Sequence, residues 1–181
     1  MTSSAALDIW ETIAAEAAAE STLWAAALRP GPERRLEPVF SPLAEERFAL
    51  GLETIYEGYL VHYGTPRLFA PVDVDTALLL GDYLYAHGLV RIAAAGDVHA
   101  VSDLSELISL SSQLRAEDAD GDGALWAATA TLLGAGPRLD EPRVALRLHG
   151  DPRGLDAVAR TAAGDDPVAR ALAAHAVRFA P

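Results

Sequence analysis

Proline and glycine fall in clusters along this chain, and every stretch between the clusters has helical rather than strand spacing. Arg29-Pro30-Gly31-Pro32 ends an alanine-rich helix expected over 4–28, whose larger apolar groups are Ile9, Trp10, Ile13, Trp24 and Leu28. After a loop, a second helix is expected over 43–63, stopped by Gly64-Thr65-Pro66, and a third over 75–95, closed by Gly96-Asp97. A fourth covers 98–116, and a fifth runs over 124–133 before Gly134-Ala135-Gly136-Pro137. In the tail, Asp140-Glu141-Pro142, Asp151-Pro152 and Asp166-Pro167 place acids before proline, the N-cap and N1 preferences of helix starts. Gly150 and Gly164 supply the stops between three short helices. The expected fold is an all-α helical bundle of about seven or eight helices. Residues 1–137 form its main body, and 138–181 pack on it as three short C-terminal helices.

The faces of these helices predict their places. In the second, Phe48, Leu52, Ile55, Tyr56, Tyr59 and Tyr63 share one side, which assigns Glu46, Glu53 and Glu57 to a solvated face. The third is apolar nearly all round, the pattern of a central helix. Its Gly81 and Gly88 lie seven apart, on one face, where two backbones can approach closely. The fourth carries a stripe of Val101, Leu104, Leu107, Ile108, Ser111 and Leu114.

Charge and composition exclude several classes of function. The net charge is −12, from 26 acids against 14 bases, and all the bases are arginine. A field of that sign repels nucleic acid and anionic lipid, and suits a basic protein partner. With no cysteine, disulfides, thiolate metal sites and cysteine nucleophiles are absent. Met1-Thr2-Ser3-Ser4 lacks a basic signal region, and the greasiest stretch, 76–95, is broken by Asp82, His87 and Arg91. A cytoplasmic location and no transmembrane segment are expected.

Few residues suggest chemistry. Asp118, Asp120, Asp122 and Gly123 match positions 1, 3, 5 and 6 of an EF-hand loop, but position 12 is Thr129 instead of the closing glutamate. A weak calcium turn is one reading; an ordinary turn with Asp122 capping the next helix is the other. Asp82, Tyr83 and His87 stand in the apolar third helix as candidates for a buried polar or interface group. His62, His99, His149 and His175 have no metal-ligand spacing.

One run of motifs resembles a known family. Gly51-Leu52-Glu53-Thr54-Ile55-Tyr56-Glu57, His62-Tyr63-Gly64-Thr65-Pro66 and Leu79-Leu80-Gly81-Asp82-Tyr83-Leu84-Tyr85-Ala86 occur in the order of corresponding segments in trans-isoprenyl diphosphate synthases. Leu107 to Gln113 and Ala124 to Gly134 follow where that family has two further motif helices. The resemblance covers about half the chain and implies a truncated form of that helical fold. Where the family has Asp-Asp-x-x-Asp to hold Mg²⁺ against a diphosphate, this chain has Glu53 and Glu57 without the middle acid. His62 and Tyr63 replace the arginine pair, Ala124 replaces the lysine, and no second aspartate motif follows.

The pattern of loss resembles the small, non-catalytic subunit of heteromeric hexaprenyl and heptaprenyl diphosphate synthases. It implies an accessory subunit without cofactor, not itself an enzyme, that forms a hetero-oligomer with a catalytic prenyl diphosphate synthase subunit. Two alternatives carry different tests. One is a helical scaffold of a larger assembly, to which the repeat-like tail segments would belong. The other is an enzyme using Glu53, Glu57 and Asp82 around one Mg²⁺.

Overall fold

The structure is a computed structural model and describes residues 4–179. Nine helices are present among the described residues, with no strand. They are α1 (Ser4–Glu20), α2 (Thr22–Ala27), α3 (Ala49–Tyr63), α4 (Val74–Ala94), α5 (Val98–Ala116), α6 (Asp122–Thr131), α7 (Asp140–His149), α8 (Arg153–Ala163) and α9 (Asp165–Val177). The all-α bundle is as the breakers predict. Met1 to Ser3, part of the basis for expecting no signal region, lie outside the described residues. Among those described, no helix is long and apolar enough to cross a membrane.

Local chemistry moves several boundaries. The helix expected over 4–28 is two, because Ser21 turns extended and its hydroxyl accepts from the Leu23 N–H at 3.1 Å, opening α2. The helix expected from 43 begins at Ala49, after single 3₁₀ turns at Ser41–Leu43 and Glu46–Phe48. Asp73 and Asp97 cap α4 and α5, accepting from Thr76 and Ala100 at 2.7 and 3.0 Å. The tail acids act differently from the expected caps. Asp140 and Asp166 lie inside the first turns of α7 and α9, where they oppose the helix dipole. Asp151 stands one residue before the cap of α8 and accepts from the Arg153 N–H.

The larger correction concerns which helix is central. It is α3: every residue from Gly51 to Val61 is buried. By contrast α4 has one exposed side carrying Leu78, Leu79, Asp82, Ala86 and Val90. Apolar content alone could not rank them, because the acids of α3 are buried with partners. Two groups of side chains close around these helices. Trp10, Ile13, Ala17 and Trp24 of α1 and α2 pack with Phe69, Leu80 and Leu84. Leu52, Ile55 and Tyr59 of α3 join Leu104, Leu107 and Trp126, and the same cluster includes Leu146, Leu155, Ala159 and Val168 of the tail helices.

α3 and α4 meet through glycine on both sides. A Cβ at Gly51 would lie 3.2 Å from the Gly88 carbonyl, and one at Gly58 would lie 3.0 Å from that of Gly81. Two glycine pairs, each seven residues apart, thus face each other in antiparallel register. A methyl group at Gly88 would sit 2.4 Å from Ile55 Cγ1 and 2.9 Å from the Gly51 carbonyl. Gly88→Ala is therefore expected to lower stability by roughly 1–3 kcal/mol, read as a reduced urea midpoint with an unchanged slope.

Candidate functional site

The acids expected on a solvated face, Glu53 and Glu57, are 1% and 0% exposed. One turn apart on α3, they point at Arg67, which is itself fully buried. Arg67 Nη1 donates to Glu53 Oε2 at 2.6 Å, and Nε donates to Glu57 Oε2 at 3.0 Å. The second oxygen of each carboxylate takes backbone donors. Glu53 Oε1 accepts from Val39 and Ser41 at 3.3 and 3.2 Å, and Glu57 Oε1 accepts from Arg67 and Leu68 at 2.9 and 2.7 Å. Arg67 Nη1 also donates to the Glu37 carbonyl at 3.0 Å.

Two rings enclose the cation, with the guanidinium carbon 4.4 Å from the Trp10 ring centre and 4.8 Å from that of Tyr56. Burial alone would pull the guanidinium's pKa down; the charges of Glu53 and Glu57 more than offset it. One cation between two anions leaves an excess negative charge, which hydrogen bonds from four backbone N–H groups stabilise. Each carboxylate is buried and already accepts three hydrogen bonds, so as placed neither is open to a Mg²⁺ ion.

A second polar cluster lies one turn along α3. Tyr59 donates to Asp122 Oδ2 at 2.6 Å and accepts from Arg115 Nε at 2.7 Å. His175 Nε2 lies 3.0 Å from the same carboxylate, while its Nδ1 lies 2.8 Å from the Tyr56 hydroxyl. A carboxylate only accepts, so Nε2 carries a proton toward Asp122, while Nδ1 shares the second hydrogen bond with the Tyr56 hydroxyl. Arg115 also pairs with Asp122 and lies 3.8 Å from the Phe179 ring centre. Burial pushes Asp122 up, but the hydrogen bond and charge of His175, with Tyr59 and Arg115, hold it well below the usual carboxylate range. Desolvation and then the Asp122 charge push Tyr59 far above the ordinary tyrosine value.

The other candidates do not come together. Asp118 and Asp120 are exposed, whereas Asp122 is the first residue of α6 and turns inward to the tyrosine–histidine cluster. It neither caps α6 nor faces a loop centre. Asp82 is 75% exposed on α4, and its carboxylate lies 3.3 Å from His62 Nε2. Burial lowers the pKa of His62, with Asp82 opposing it only in part. Glu53, Glu57 and Asp82 thus share no centre. Tyr83 is half-buried between Trp24 and His87, at ring distances of 5.9 and 5.2 Å, and His87 meets Glu16 of α1 at 2.6 Å. Among the described residues, no group of three metal-ligating side chains converges.

What remains open is the outward side of α4. Leu78, Leu79 and Val90 are 50%, 58% and 64% exposed, with Val74 at its start also exposed. Ala86 and Ala93 continue the strip, and Asp75 and Asp82 stand within it, Asp82 one turn after Leu78 and one turn before Ala86. α1 covers the flank bearing Tyr83, His87 and Arg91, and α3 the flank bearing Gly81 and Gly88.

No family profile, curated protein or solved structure matches the chain.

Sequence reasoning missed Arg67 and His175. A signal for the first was present: Leu50, Leu60 and Val61 flank Glu53 and Glu57 at helical spacing, so the acid face was never uniformly polar. His175 had no such signal, since its partners are 53 and 119 residues away.

Arg67→Met is expected to cost about 3–5 kcal/mol, because it strands two buried carboxylates. Adding Glu53→Gln and Glu57→Gln should recover part of that loss, measured by urea unfolding of all three proteins. Asp122, with its lowered folded pKa, stabilises the fold above the unfolded value of about 3.9, and this contribution disappears as pH falls through the folded value. The urea midpoint of the wild type is therefore expected to drop more steeply than that of Asp122→Asn between about pH 5 and pH 2.5.

Proposed function

We propose that this chain is a non-catalytic helical subunit that docks a protein partner on the outward face of α4. The observation that carries this is the exposed strip of Leu78, Leu79 and Val90 on a helix otherwise enclosed by α1, α3 and α5. Exposed aliphatic groups aligned on one helix face are the usual mark of an interaction surface. Asp75 and Asp82 stand within the strip, and the chain carries a net charge of −12. Two copies would bring like charges together, so a partner surface that sets basic groups among apolar ones fits better than a second copy.

The partner we propose is a catalytic polyprenyl diphosphate synthase subunit, on the strength of the motif order from Gly51 to Ala86. Engagement of Glu53 and Glu57 by Arg67 supports a role without metal-dependent ionisation chemistry. A second reading is a scaffold in an assembly without isoprenoid chemistry. The exposed Val144, Leu148 and Val177 on the short tail helices favour it, as a further surface not tied to the synthase-like segment.

Co-expression with a synthase subunit from the same genome separates the readings. Stoichiometric co-purification with a gain in prenyl transfer is expected, and Leu79→Glu with Val90→Glu should weaken the complex at least tenfold while leaving the circular dichroism unchanged. A complex that ignores both substitutions would reject the α4 face. Absence of any complex would reject the synthase partner.

A further inference from the structure

A cleft of about 380 Å³ opens where the end of α9 meets the loops after α2 and α3. Arg29, Arg35 and Arg178 line it, together with Glu33 and Thr65. Elsewhere Arg47, Arg67, Arg91, Arg115, Arg143 and Arg147 each reach a carboxylate. The three arginines of the cleft do not: among the described residues none has an ion pair or a side-chain hydrogen bond. Arg29 Nε and Arg178 Nε are buried without an acceptor; Arg91 Nε and Arg143 Nε are too, but those two side chains reach carboxylates through their other nitrogens. Leaving a buried charged donor unpaired is costly, and such a group calls for a missing partner.

The main chains that carry these side chains are tied to one another. The Arg29 N–H donates to the Leu68 carbonyl at 2.9 Å, the Arg35 N–H donates to that of Arg67 at 3.0 Å, and the Thr65 N–H donates to that of Arg178 at 2.9 Å. All three therefore hang on one segment, 65–68, which Glu53 and Glu57 fix from the inside through Arg67. Arg34 Nε donates to the Arg29 carbonyl at 2.9 Å and closes the turn between them. A chance meeting of surface arginines would lack this common anchor. The larger cleft of about 520 Å³ beside α5 and α7 offers a contrast, since its arginines, Arg143 and Arg147, are already paired with Asp103 and Glu106.

We infer that this cleft binds a phosphate-class dianion, either free phosphate or the phosphoryl end of a phosphomonoester. Three guanidinium groups against the single carboxylate of Glu33 leave an excess of two positive charges, which a dianion balances. Three separate donors suit the three terminal oxygens of a phosphoryl group better than the two of a carboxylate. Thr65 adds a neutral side chain at the wall able to donate to an oxygen. Burial and then the charge of Arg67 lower the pKa of Arg178, so an incoming anion relieves a strained cation. The site uses none of the α4 strip and stands whether or not that face docks a partner.

The test is calorimetric titration of the full chain at low salt with inorganic phosphate, phenyl phosphate and succinate. Saturable one-site binding of a phosphate probe is expected, with affinity rising as its second proton leaves, near pH 6 for the monoester. Tighter binding of phenyl phosphate would identify the source as a monoester, and tighter binding of inorganic phosphate would identify it as the free ion. Arg178→Gln and the exposed Arg35→Gln should each weaken binding tenfold or more; Arg35→Gln guards against a folding defect at the more buried position. No saturable binding with either phosphate probe up to about ten millimolar, equal binding of succinate, or an unchanged affinity in Arg35→Gln would overturn the proposal.

Discussion

The ion triad of Glu53, Arg67 and Glu57 is the constraint on which most of this molecule depends. Buried charge is tolerated only where every donor and acceptor is used, and here the carboxylates take backbone N–H groups from two loops in addition to the guanidinium. That requirement draws the segments 37–41 and 65–68 against α3 and makes it the central helix. It also explains how a helix with two glutamates on its flank can be enclosed on all sides.

The triad and the second polar cluster are joined through Tyr56. Its ring faces Arg67, and its hydroxyl is hydrogen-bonded to His175, which donates to Asp122. A continuous line of polar and aromatic contacts therefore runs from Trp10 of α1 to α6 and α9. Networks of this kind fix one arrangement of a core, because an alternative packing would leave buried charges unpaired. The glycine contact of α3 and α4 acts in the same direction by setting their register through backbone proximity.

Two surfaces are left over once these internal demands are met, and they differ in character. The α4 strip is largely aliphatic and interrupted by acid, while the cleft at the end of α9 is cationic in an otherwise acidic protein. Both arise from the same interior. α4 presents its aliphatic side outward because its glycine side is committed to α3, and the cleft arginines line one cleft because their main chains are bonded to the 65–68 segment.

The breaks at Pro30, Gly64, Gly96, Gly134, Gly150 and Gly164 determined from sequence alone that the chain is all-α, since backbone stops and helical periodicity are local properties. The close approach at Gly81 and Gly88 was equally legible, because a seven-residue spacing fixes a common face. The synthase-like motif order was also read from sequence, but it fixed no geometry. Tertiary structure alone decided that Glu53 and Glu57 are inside, that Asp82 is outside, and that Asp122 meets His175. The fate of a charged side chain depends on partners brought by distant segments, and helical periodicity carries no information about a cation that arrives from beyond the next turn.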